Sequence, residues 1–117
     1  MPTPYAVVFI TVPDAKSADK VGGALLKLKL AACVNEVPGL RSRYWWEGKI
    51  EEAKEVLLVI KTRMALVPEV ARCVKENHPY SLPEVVALPV EEGLKAYLDW
   101  LGANTLLSPK AARPPDE

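Results

Sequence analysis

The chain has a single histidine and two cysteines in 117 residues, and its 15 lysines and arginines only balance its 15 aspartates and glutamates. Each shortage excludes something. With no net charge and no long block of like charges, nothing draws in a polyanion, so neither nucleic acid nor an anionic membrane is an expected partner. Apolar runs are short: residues 6–10 and 56–60 make five each, against the roughly 20 needed to cross a bilayer. Cys33 and Cys73 stand in no close metal-binding spacing. Each is expected as a small apolar core residue, with a disulfide between them as the alternative. There is no G-x-S-x-G, no phosphate-cradling loop and no paired nucleophile and base, so no residues carry an enzymatic reading. The opening Met1-Pro-Thr-Pro-Tyr5 lacks the basic segment and apolar core of a secretory signal. That points to the cytoplasm, unless a targeting segment has been removed.

What is present is enough for one hydrophobic core: half of the residues are apolar, in a length typical of a single domain. We expect that domain over residues 1–107. Residues 108–117, with Pro109, Pro114 and Pro115, read as a disordered tail.

Residues 5–12 are β-branched and aromatic and are stopped by Pro13-Asp14, which makes a first strand. Asp14 is a natural N-cap, and Ala18, Val21, Leu25 and Leu28 recur at helical spacing behind it. Gly22 and Gly23 inside that helix each cost about 1 kcal/mol against alanine, so they signal close backbone packing. A second strand starts over 31–35, breaks at Pro38-Gly39 and resumes over 40–46; Glu47-Gly48-Lys49 turns the chain into a third strand over 50–62. Pro68 suits the first turn of a second helix carrying Val70, Cys73 and Val74 inward, which ends at His78 because a proline follows. Residues 84–90 make a fourth strand with Pro89 marking an edge, and Leu94, Tyr97, Leu98 and Leu101 mark a third helix.

Strand, helix, strand, strand, helix, strand is the order of a ferredoxin-like α+β fold, here with an added C-terminal helix. Right-handed crossovers place the first and third strands in the middle of a four-stranded antiparallel sheet and both crossover helices on one face. Alternation gives Ala6, Val8, Ile10 and Val12 to one face and Tyr5, Val7, Phe9 and Thr11 to the other. It likewise splits Leu58 and Ile60 from Leu57 and Val59, and Val85 and Ala87 from Val86 and Leu88. Neither face is polar. At roughly 1.5–3 kcal/mol per large side chain, half a dozen such residues supply on the order of 10 kcal/mol toward association. The economical cover is further copies of the chain, with edge strands free to pair between subunits. The third helix is too short to do more than part of that work.

The densest chemistry lies at a hairpin tip, Tyr44-Trp45-Trp46-Glu47-Gly48-Lys49, whose aromatics suit an interface or a stacked ligand. Glu47, Glu51, Glu52 and Glu55 form an acidic stretch expected to be solvated. His78 stands at a helix C-terminus, where its charge would complement the dipole.

Several motifs in order, Lys29-Leu-Ala-Ala-Cys-Val-Asn35, Pro38-Gly39, Trp46-Glu-Gly-Lys49, His78-Pro-Tyr80, Pro83-Glu84 and Tyr97-Leu-x-Trp100, resemble the CutA family of divalent-cation tolerance proteins over residues 5–101. The resemblance implies a homotrimer of ferredoxin-like subunits, similar in architecture to PII signalling proteins, that binds a divalent metal (copper or zinc) or a small ligand in clefts between subunits. The alternative is a structural trimer that docks a partner protein. In some bacterial members copper binding is ascribed to a cysteine late in the first strand and a His-His pair before Pro-Tyr. Here those positions are Ile10 and Asn77, and only His78 is kept, a poor site for copper on its own. The metal candidates are therefore His78 with Cys33, Glu51 and Glu84. Tyr44, Trp45, Trp46, Lys49 and Tyr80 are the candidates for a ligand cleft or interface.

Overall fold

In the computed structural model, which describes residues 3–107, the order is β1 (Tyr5–Val12), α1 (Ala15–Lys27), β2 (Cys33–Trp46), β3 (Lys49–Arg63), a 3-10 turn (Met64–Leu66), α2 (Val67–Asn77), β4 (Val86–Pro89) and α3 (Lys95–Ala103). The expected tail, 108–117, lies outside the described residues. All pairings are antiparallel and the sheet order is β2-β3-β1-β4, which is the α+β ferredoxin-like arrangement with β1 and β3 central.

Local chemistry explains the element ends. Asp14 caps α1, its carboxylate accepting the Ser17 N–H at 2.8 Å. The helix stops at Lys27, so Leu28 does not extend the inward stripe as its spacing implied; it is the C-cap residue and 46% exposed. The hairpin turn is tighter than expected. Glu47 (φ 51) and Gly48 (φ 79) are both left-handed, the geometry of a two-residue turn that matches strand twist, and Lys49 already belongs to β3. Pro38-Gly39 bulges β2 without ending it: Val37 pairs with Leu57 and Leu40 with Glu55, so the extra residues are absorbed and the strand runs on. β4 is shorter than its apolar run, four residues at an edge closed by Pro89.

The core lies between one sheet face and the helices α1 and α2. Val8, Ile10, Val12, Leu58 and Ile60 meet Val21 and Leu25 of α1 and Val70, Cys73 and Val74 of α2. Burial pushes the Cys73 thiol above its usual range, with the Glu76 charge adding to the effect. Cys33 departs from expectation: it is only half-buried and paired with Lys61 on the opposite sheet face, and both cysteines are free.

That opposite face is apolar and open, with Val37, Val86 and Leu88 each close to half exposed and Val7, Phe9, Leu57 and Val59 partly so. α3 covers little of it. Its one buried residue is Leu101, while Tyr97 and Trp100 remain exposed, as does Leu94, which its spacing put in the helix but which is the extended N-cap before it. The helix is fastened at the Tyr5–Arg63 end of the sheet, where Arg63 donates to the Gly102 carbonyl at 2.8 Å and to the Thr105 hydroxyl at 3.1 Å.

Candidate functional site

Val12 pairs with Val56, and β1 ends there. From Glu55 outward β3 has only β2 beside it, so the two strands continue as a ribbon that leaves the body of the sheet. The loop that follows α2 crosses the same end. Its first residue, His78, is nine-tenths buried, with Nε2 2.7 Å from the Thr11 carbonyl and Nδ1 3.1 Å from the Tyr80 N–H. An amide hydrogen donated to Nδ1 leaves the ring proton on Nε2, so the imidazole is neutral in one tautomer with both nitrogens engaged. The lone histidine is thus a brace between α2, β1 and the loop, rather than a charge set against a helix terminus.

Between ribbon and loop lies a concavity of about 680 Å³, lined by Tyr44, Trp45, Trp46, Tyr80, Glu55 and Glu84, with Arg41 and Arg43 also at its wall. Lys49 lies outside the lining, opposite Trp46 at the ribbon tip. Sequence reasoning placed Glu55 on a solvated surface; it is 7% exposed and forms part of the wall. Alternation puts Glu55 on the Leu57–Val59 side of β3, but it is Tyr80 of the loop, 25 residues on, that meets it there. Tyr80 donates its hydroxyl to Glu55 Oε2 at 3.1 Å, and its ring stands 4.7 Å from that of His78. Burial first, then the Glu55 hydrogen bond and charge, push the Tyr80 phenol up to about 12. The Glu84 carboxyl is raised by its partial burial and, second, by the Glu55 charge.

The residues expected around a metal do not converge. Among the described residues no group of three or more His, Cys, Asp or Glu is placed to hold an ion. Cys33 pairs with Lys61 and Glu51 with Tyr44; that is ten residues apart along β3, about 33 Å at strand rise. His78 has no free nitrogen to offer. A metal therefore does not fit the donors of one subunit.

The model of the CutA1 divalent ion tolerance protein family matches residues 6–104. The chain belongs to the CutA1 family. It is 50% identical over 99 residues to the divalent-cation tolerance protein CutA of Thermus thermophilus, covering 85% of this chain and 96% of that one. It is 48% identical over 102 residues to the chloroplastic protein CutA 1 of Oryza sativa, covering 87% of this chain and 58% of the rice protein. The chain thus spans little more than half of that plant relative. Among solved structures, CutA1 from Oryza sativa superposes with a TM-score of 0.87 at 47% identity, covering 92% of this chain and 98% of that chain. The Thermus thermophilus protein gives 0.85 at 49%, covering 87% and 99%. CutA1 relatives include proteins named chloroplastic and one named periplasmic, so membership assigns no compartment and the expected cytoplasmic location does not follow from it. No helix among the described residues is long and apolar enough to cross a membrane.

Proposed function

We propose that the chain acts in the cytoplasm as a homotrimer that binds a small ligand in clefts between subunits. Its role lies in metal homeostasis or signalling, by binding rather than catalysis. The observation that carries this is the open apolar sheet face. Phe9, Val59, Val86 and Leu88 lie on the side away from α1 and α2, and α3 leaves most of it bare. A contiguous patch of this kind is the mark of an interface. In such an assembly the concavity between ribbon and loop is the proposed ligand cleft. Copper or zinc remains the family's divalent-cation expectation, but in this chain it would require donors from more than one subunit.

Sedimentation velocity at micromolar dilution tests the assembly. A trimer of 12.9 kDa chains has three times that mass, and Phe9→Asp should release the single chain. A stable wild-type particle of one chain mass would overturn the proposal. Calorimetry with Cu(II) or Zn(II) tests the metal arm, where His78→Ala should leave any heat unchanged.

The second reading, a structural trimer that docks a partner protein, is favoured by the exposure of Trp45 (73%) and of Leu94 (75%), the N-cap of α3. Stoichiometric recovery of a partner, lost on changing Trp45 or Tyr97, would support it.

A further inference from the structure

Glu55 is a carboxylate nine-tenths buried that, among the described residues, has no ion-pair partner. Tyr80 donates one hydrogen bond to it. Buried charges are normally paired, because desolvating a lone carboxylate costs several kcal/mol even after relaxation. The two arginines at the wall do not serve. Arg41 is bound to Glu52, and Arg43 stands across from the same Glu52 in the ribbon register.

Apart from those arginines and Thr11, Ser42, Ser81 and Leu82, the wall is acidic and aromatic. Glu84 adds a second carboxyl close enough to feel the Glu55 charge. Alternation places Tyr44 and Trp46 on the Glu55 side of the ribbon, and Tyr80 closes the loop side. Carboxylates beside aromatic faces form a receptor for a positive charge that carries apolar bulk, since the ring quadrupoles attract the cation as well. A bare divalent ion fits less well. Hard cations take six or more oxygens, and among the described residues no third acidic, histidine or cysteine group joins these two.

We infer that the concavity between the ribbon and the 78–84 loop receives an ammonium group bearing an aryl or alkyl chain, with Glu55 as its principal counter-charge and Glu84 as the second. This rests on the proposal that the concavity is a ligand site. The same ammonium chemistry has two sources, a free amine or a lysine side chain of a second copy.

Phenethylamine is the probe, titrated into the whole chain carrying Trp100→Phe, so that tryptophan fluorescence reports the concavity, with 2-phenylethanol as its uncharged counterpart. Saturable quenching is expected with the amine and not with the alcohol. Glu55→Gln, which keeps an acceptor for Tyr80, should weaken it by about tenfold or more, while Glu36→Gln outside the wall should not. Binding that appears only on dilution below the association range assigns the cation to the second copy; binding at all concentrations assigns it to a free amine. Absence of quenching at every concentration, equal quenching by the alcohol, or full affinity in Glu55→Gln overturns the inference. Sedimentation on the same samples keeps its failure separate from that of the trimer: a trimer without amine binding sinks only the inference, and a monomer that binds through Glu55 sinks only the trimer.

Discussion

Gly22 of α1 lies so close to Val34 of β2 that a Cβ on the glycine would stand 3.1 Å from Val34 Cγ1, whereas a Cβ on the adjacent Gly23 would meet nothing within 4 Å. Two neighbouring glycines therefore have different reasons to be glycine. Gly23→Ala should raise stability by about 1 kcal/mol through helix propensity alone. Gly22→Ala should forfeit that gain, because Val34 must yield against a packed core. Urea unfolding at one fixed protein concentration measures both, and equal gains at the two sites would refute the close-approach explanation.

Gly102 offers a harder case. A Cβ there would collide with the Tyr5 hydroxyl and crowd the Arg63 guanidinium, the group that fastens α3. Gly102→Ala should cost about 1–3 kcal/mol and loosen α3 before the sheet. Amide exchange read along residues 95–103 should quicken by more than that of β1 and β3; uniform quickening would mean that α3 and the sheet open as one unit.

Tyr80 should ionise near pH 12, well above the ordinary tyrosine value of about 10. The sign follows from linkage. The folded chain holds this proton more tightly than the unfolded chain, so the associated stability is fully present below about pH 10 and is lost as pH rises toward about 12. The difference in phenolate absorbance between wild type and Tyr80→Phe isolates this one titration among four tyrosines. Ionisation near pH 10 would mean that the Glu55 contact is not maintained in solution.

How far the sequence revealed this molecule depends on the range of each interaction. β1, the Asp14 cap, the end of α2 before Pro79 and the central places of the two strands with unbroken apolar runs all follow from neighbours in the chain. So does the apolar character of both sheet faces, since alternation is local. The candidate site was less legible. The aromatic cluster drew attention to the ribbon, but Glu55 looked like one more surface acid, because its partner Tyr80 lies 25 residues away. His78 looked free to ligate or to face a dipole, because the carbonyl that engages it belongs to Thr11, 67 residues earlier. Leu28 kept helical spacing although α1 ends at Lys27 and the chain turns away through Lys29, at φ 57.

The place of β1 in the sheet bears on how the chain comes to be folded. Among the described strands, the first in chain order is a central one. Tyr5 waits for Arg63 on one side and Ala6 for Pro89 on the other, so one edge of this segment stays open until β3 has formed and the other until β4 has. Contacts of such sequence separation close slowly. For that interval a nascent Tyr-Ala-Val-Val-Phe-Ile-Thr-Val segment carries two unpaired backbone edges and no helix over either side, the condition in which newborn chains stick to one another.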